Sequence, residues 1–274
     1  MSSQRVDTGS EHVSCVVEDA VARVRLARPE KLNGLTLPML DALVSAARAL
    51  RRDRSLRAVV LSGEGDSFCA GLDFASATKD PSGVARAFAP RPWRGTNTFQ
   101  EACWAWRRLP VPVIAAVHGH CLGGGLQIAM GADIRITAPD AQWSVLEGKW
   151  GLVPDMSGVR TLAQQLGLDV AKRLTMTGEM VSGTEAVRLG LATQSADDPA
   201  AAADELVAQL LTRSPDAVAA AKRLFDTRWT AGPRRTFARE RWEQAVLLAA
   251  PNTARIRKAA QAKAPARFSP RLLP

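Results

Sequence analysis

VIAAVHGHCLGGGLQIAMGADIRITAPDAQWSVLEGKWGLVPDMSGVR, from Val113 to Arg160, is the stretch on which the reading of the chain turns. The apolar run Val113 to Val117 predicts a buried strand, broken at Gly119. Gly123, Gly124 and Gly125 then lead into a short apolar helix, Leu126 to Met130. Backbone N–H groups at a helix start have no intrahelical partner, glycine lets a ligand approach them, and the helix dipole adds partial positive charge. Such a turn suits a carbonyl oxygen that takes up negative charge, as in enolate chemistry on a thioester. The same three glycines also fit a tight turn that only packs. A phosphate cradle is excluded, because no Gly-Lys-Ser/Thr follows and the G-x-G-x-x-G spacing is absent.

Further along the same stretch Glu147 and Asp155 lie eight positions apart. Gly151 and Pro154 between them exclude one continuous helix, so a strand-to-loop segment can bring both carboxylates to a cleft. Burial against Trp143 and Trp150 would raise a carboxyl pKa toward the working range of a general acid or base. Lys149 would oppose that rise if it pointed inward. The plainer alternatives are a helix-start or surface carboxylate at Glu147, and at Asp155 an N-cap for a helix beginning near Ser157 and Gly158.

Outward from this stretch, Ala22 to Leu26 and Ala58 to Ser62 read as strands, with an amphipathic helix from Leu37 to Arg52 between them, an α/β alternation. Residues 74–97 are rich in Pro, Gly and Ala around Trp93 and show no clear period. From Ser157 the pattern turns helical. Ser182 with Glu185 predicts a capping box, and Ser214-Pro215-Asp216 opens a helix with proline at its first position. Helices are expected from Ala200 to Ala262. There is no internal repeat beyond the strand–helix alternation, and no linker marks an independent second domain.

Composition narrows the class. The 274 residues are 46% hydrophobic, enough for a packed core. No apolar run approaches the ~20 residues of a membrane span, and no signal-peptide core is seen, so a cytoplasmic location is expected. Cys15, Cys69, Cys103 and Cys121 form no C-x-x-C pair, and with His12, His118 and His120 they form no convincing metal set. His118 and His120 read as structural, with His120 the nearer to the glycine turn. The net charge of +9 suits an anionic partner. Six basic residues, Arg255, Arg257, Lys258, Lys263, Arg267 and Arg271, crowd the last two dozen positions without an acidic neighbour. Nucleic acid is not expected as the main partner: aromatics are 5%, Tyr is absent, and no aromatic-interleaved basic stripe is present.

VHGHCLGGGLQIAMGADIRIT, together with RPEKLNGL (Arg28 to Leu35) and SFCAGLDF (Ser67 to Phe74), resembles the crotonase superfamily of enoyl-CoA hydratases and isomerases. The similarity runs in order from about Val16 to Phe268. It implies a spiral core of repeated ββα turns, here 1–199, followed by a C-terminal helical trimerisation region, 200–274, that also covers coenzyme A. It implies a homotrimer or dimer of trimers acting on an acyl-CoA thioester, with no metal or redox cofactor and coenzyme A present only as part of the substrate. The two oxyanion donors fall on the N–H groups of Leu72 and Gly124. Contacts to the coenzyme A portion fall on Arg28, Lys31, Leu32, Ala70, Asp73 and Gly123, and the basic tail would lie beside its phosphates. Residues 74–97, just after Leu72, would form the wall or lid of the acyl pocket, or else a surface loop.

The superfamily's two acid/base glutamates fall on positions 127 and 147, and here they are Gln127 and Glu147. A carboxamide holds a water or polar group by hydrogen bonds but takes no proton at neutral pH. Asp155, where hydratases usually carry glycine, makes the arrangement most similar to the dienoyl-CoA isomerases, in which a glutamate and an aspartate at this spacing exchange protons with opposite ends of a conjugated system. Gln127 again replaces an acid of that pattern. Aryl-CoA dehalogenases share the aspartate but not Glu147. The implied order of activities is double-bond isomerisation, then hydration of 2-enoyl-CoA, then acyl-CoA binding without turnover.

Overall fold

The computed structural model describes residues 3–228 and 230–272. The strands are β1 (Gln4–Arg5), β2 (Val13–Glu18), β3 (Val21–Leu26), β4 (Ala58–Gly63), β5 (Val113–Val117), β6 (His120–Leu122), β7 (Ile134–Thr137), β8 (Gln142–Ser144), β9 (Val181–Ser182) and β10 (Gln194–Ser195). Seven of them form one sheet in the order β1-β2-β3-β4-β5-β7-β10, and β6, β8 and β9 form a second. A two-residue turn, Asp19-Ala20, with both φ values positive, closes the β2–β3 hairpin. From β3 to β10 the large sheet is parallel.

Helix α1 (Leu37–Arg52) makes the first crossover, its N-terminus capped by the Thr36 hydroxyl, which accepts from the Met39 N–H. Its buried face, Met39, Leu40, Leu43, Ala47 and Leu50, packs on one side of the sheet together with buried residues of α4 (Thr98–Arg107). Two further helices, α2 (Phe74–Ala77) and α3 (Pro81–Phe88), lie between them. They occupy the stretch in which no period was legible. Asp73 and Asp80 cap them by accepting from the Ser76 and Gly83 N–H groups.

The α/β spiral is visible in the ladder of the small sheet. Strand β5 passes directly into β6 and then α5 (Gly124–Met130), and β7 passes into β8 and then a 3₁₀ turn at Leu146–Trp150. Cys69 bridges Cys121, and Cys121 pairs Trp143, so three successive turns stack in register. Stacking puts the segments that leave this ladder, at residues 70–72, 123–124 and 145–147, side by side. Trp143 stacks inside the ladder, fully buried, its indole N–H donating to the Thr137 hydroxyl, and not against Glu147 as the sequence suggested.

The remaining helices are α6 (Gly158–Gln165), α7 (Leu168–Thr177), α8 (Gly183–Leu189), α9 (Pro199–Leu211), α10 (Pro215–Arg228), α11 (Pro233–Ala249) and α12 (Pro251–Gln261). Half of the expected box at Ser182 forms: its hydroxyl accepts from the Glu185 N–H, while the Glu185 carboxylate turns to Arg188. Although α9 falls in the segment assigned to the C-terminal region, Ala203 and Val207 bury the second face of the large sheet against Val60, Ile114 and Ile136. Packing thus joins α9 to the core, and α10 to α12 follow it.

Candidate active site

A cleft of about 770 Å³ opens where the stacked turns end. Ala70, Gly71 and Leu72 form one lip and Gly123 and Gly124 the floor, and Glu147, beside Gly123, and Asp155 also line the cleft. The rest is apolar: Phe74, Val84 and Phe88 from α2 and α3, Phe99 from α4, Trp150 at the end of the 3₁₀ turn, and Leu152 and Val153 from the loop beyond it. Phe74 sits 5.3 Å from Trp150 and Phe88 4.8 Å from Phe99, ring centre to ring centre. Residues 74–97 therefore do supply a wall, built of helices rather than loop.

The lip and floor are held at close range by backbone. Leu35 N–H donates to Gly71 O, Asp73 N–H to Leu35 O, and Leu122 N–H to Cys69 O. Gly71 has φ +96°, and a Cβ there would stand 2.9 Å from Leu122 O and 3.6 Å from Gly124 N. Only glycine fits that backbone angle and that approach. Among the described residues the Leu72 N–H donates to no acceptor. Gly124, the first residue of α5, has no carbonyl one turn behind it. Two unspent donors thus lie on adjoining segments of one cleft.

Glu147 and Asp155 are both half-buried, and burial pushes both carboxyls above their ordinary values. For Glu147 its own backbone N–H first, and then the hydrogen bond from Gln127, pull the other way, while the nearby Asp155 adds to the rise. Lys149 is exposed, its side chain against Gly178, and does not line the cleft. Asp155 caps no helix: the residue before α6 is Ser157, in a left-handed conformation and with no side-chain cap. Trp150 lines the cleft as expected.

Gln127 is fully buried and does not line the cleft. Its Nε2 donates to Glu147 Oε1 at 2.6 Å, and its Oε1 accepts from the N–H groups of Met156 and Gly158 at 2.8 and 2.9 Å. The polar groups that Gln127 was expected to hold by hydrogen bonds are thus the Glu147 carboxylate and the backbone of the loop that carries Asp155.

Of the positions assigned to coenzyme A, Ala70 and Gly123 line the cleft, whereas Arg28, Lys31, Leu32 and Asp73 do not. Arg28 Nη1 donates to Asp73 Oδ2 at 2.8 Å and to Gly34 O, tying RPEKLNGL to the segment after Leu72. Arg28 first, then the Ser76 N–H, holds the Asp73 carboxyl below its ordinary value. Lys31 and Leu32 are exposed beside them. His120 meets the Ser67 hydroxyl and His118 meets Gly65 O, both outside the cleft.

One scaffold residue was missed. Asn33, fully buried with φ +56°, donates from Nδ2 to Glu64 O and Ser67 O and accepts the Arg28 N–H, locking the loop before Leu72. Its signal was an Asn-Gly pair after the short Pro29–Lys31 turn, since Asn tolerates the left-handed region. All four cysteines are free and buried; burial pushes Cys69 up to about 12, leaving an inert thiol. No set of His, Cys, Asp or Glu among the described residues is arranged to hold a metal ion.

The site thus sets two unspent N–H donors and two half-buried carboxylates on stacked turns. The family model described as enoyl-CoA hydratase/isomerase matches residues 17–269. The chain is 33% identical over 205 residues to 1,2-epoxyphenylacetyl-CoA isomerase of Escherichia coli (strain K12), covering 74% of this chain and 77% of that one. It is 33% identical over 210 residues to the mitochondrial Delta(3,5)-Delta(2,4)-dienoyl-CoA isomerase of Mus musculus, covering 74% and 64%. The crystal structure of an enoyl-CoA hydratase from Polaromonas sp. JS666 superposes with a TM-score of 0.84 at 26% identity, covering 94% of this chain and 99% of that one. The chain belongs to the enoyl-CoA hydratase/isomerase family of the crotonase superfamily.

Proposed function

We propose that this chain shifts double bonds of enoyl- or dienoyl-CoA thioesters by proton transfer. The observation that carries the reading is the pair of half-buried carboxylates, Glu147 and Asp155, facing one apolar cleft, with Gln127 withdrawn behind them. In the proposed cycle the thioester oxygen lies between the N–H groups of Leu72 and Gly124. One carboxylate takes a proton from carbon, the electron pair moves into a dienolate whose charge rests on that oxygen, and the other carboxylate returns a proton to a distant carbon. Each oxyanion donor of this kind contributes roughly 2.7–4 kcal/mol to the barrier reduction. Raised carboxyl pKa values suit both halves of the cycle, because each group must hold and release a proton near neutral pH. Two relatives named above are isomerases of CoA thioesters, which is in line with this chemistry.

Coenzyme A enters this scheme as part of the substrate, with no metal or redox group required. Action in the cytoplasm as a homotrimer or dimer of trimers belongs to the same proposal. Among the described residues no helix is long and apolar enough to cross a membrane.

Hydration of a 2-enoyl-CoA is the second reading, favoured by the likeness to the Polaromonas hydratase. In it the same two carboxylates would activate a water. Mixing the protein with a 3,5-dienoyl-CoA and following ultraviolet absorbance separates the two. Growth of the conjugated 2,4-dienoyl band is expected. If it stays flat while a 2-enoyl-CoA gains solvent oxygen, hydration replaces isomerisation. Tight binding of acyl-CoA with neither reaction would make the protein a non-catalytic binder.

A further inference from the structure

We propose that Gln127 is a positioning residue that leaves Glu147 a single proton-transferring atom, Oε2. The inference rests on the proposed role of Glu147 as an acid/base group.

The hydrogen-bonding capacity of one amide decides which carboxylate oxygen is left over. The Gln127 carbonyl oxygen accepts two backbone N–H groups, from Met156 and Gly158, which uses both of its lone pairs and sets the orientation of the amide. The NH₂ group is thereby forced toward Glu147. An amide nitrogen only donates, so Glu147 Oε1, 2.6 Å away, must accept, and because a carbonyl oxygen accepts better than a hydroxyl this contact favours the proton on the other oxygen. A proton held by Glu147 therefore sits on Oε2. That atom is buried and has no hydrogen-bond partner among the described residues, and both carboxylate oxygens lie beside the floor of the cleft, Oε1 3.4 Å and Oε2 3.7 Å from where a Cβ on Gly123 would stand. An unpartnered buried carboxylate oxygen is costly, and here the cost falls on the one atom free to react.

The second consequence is geometric. Gln127 on α5 grips both the 3₁₀ turn of Glu147 and the loop from Asp155 to Gly158, so the two carboxylates are held relative to each other by one side chain. Around Glu147 the other ionisable groups are Asp155 and the buried Cys103 thiol, which feels both carboxylates; Lys149 points away. A donor that never titrates keeps the geometry independent of pH, which a carboxyl group at position 127 would not.

The test uses the pH dependence of kcat/KM on the substrate that the wild type accepts, with difference infrared spectroscopy of the carboxyl stretch in the substrate-free protein. Gln127→Met removes the donor to Glu147. The ionisation of Glu147, assigned with Glu147→Gln, is expected to move to higher pH by about one unit or more, and the acid limb of kcat/KM with it. A folded Gln127→Met protein with slower turnover but an unmoved limb and an unmoved carboxyl band would overturn the inference. Should that variant not fold, Gln127→Glu keeps the acceptor for Met156 and Gly158. This second variant is expected to be active only while its introduced carboxyl holds a proton to donate, moving the alkaline limb of kcat/KM to lower pH than in the wild type; a wild-type profile would refute the proposal. If the wild type turns over no enoyl- or dienoyl-CoA, the functional proposal falls, and the infrared titration alone still decides the role of Gln127.

Discussion

At the scale of single residues, catalysis and stability pull against each other at Glu147 and Asp155. Burial lifts both carboxyls above their unfolded values, so the folded state prefers them protonated. The stabilising contribution of such a group is complete below its unfolded pKa, around pH 4, and is lost as pH rises through the raised folded value. At neutral pH each ionised group therefore costs stability. Glu147→Gln and Asp155→Asn are each expected to cut turnover by at least about a hundredfold while acyl-CoA binding is retained. The same two variants are expected to melt higher than the wild type at pH 7 and to lose that gain near pH 4. Melting curves at the two pH values check the sign without any substrate. Near-normal turnover in both would remove the two-carboxylate assignment, whatever the melting curves show.

At the scale of elements, the glycine turn and the wall behave differently. The turn was legible because φ and close approach leave a mark in the sequence: a Cβ on Gly125 would stand 2.5 Å from Cys69 O, so only glycine lets α5 start against the neighbouring segment. Strand β5, helix α1 and the Pro215 start of α10 were legible for similar local reasons of period and capping. The wall was not. Helices α2 and α3 are short and partly exposed, so residues 74–88 carry no sustained apolar period; both are capped by aspartates, and α3 also packs on α1 and α4. Trp143 was misplaced because its neighbourhood is set by strand stacking between distant turns, to which local spacing is blind. Phe88 and Trp150 face the cleft in tilted aromatic pairs, and truncating either removes apolar contact that substrate and transition state share equally. Phe88→Ala and Trp150→Ala are thus expected to raise KM roughly tenfold or more with kcat little changed. Steady-state kinetics would expose an error in this view if kcat fell and KM held.

At the scale of the whole molecule, the basic tail splits into two populations that composition could not separate. Arg255, Arg257, Lys258, Lys263 and Arg267 are exposed and contribute to the field that an anionic thioester would meet. Arg271 is 2% exposed and belongs to the fold. Its Nη1 and Nη2 donate to Leu56 O and Asp53 O at 2.9 and 2.8 Å, and its backbone N–H donates to Arg54 O, so Arg271 is fastened to the loop that enters β4. Nearby, Asp216 at the start of α10 accepts from Asn252 on α12 and from the Leu272 N–H, fastening α10, α12 and the tail together. Burial lowers the Arg271 pKa, a sign of the solvation it gives up and recovers through these carbonyls. Removing the guanidinium strands one buried acceptor, Leu56 O, and one half-buried acceptor, Asp53 O, which costs about 2 kcal/mol, whereas removing an exposed cation changes stability by no more than about 0.5 kcal/mol. Arg271→Ala is accordingly expected to unfold at clearly lower urea concentration than the wild type, and Arg267→Ala at nearly the same concentration. Equal losses in the two variants would mean that the tail acts through its charge rather than through this one anchored side chain.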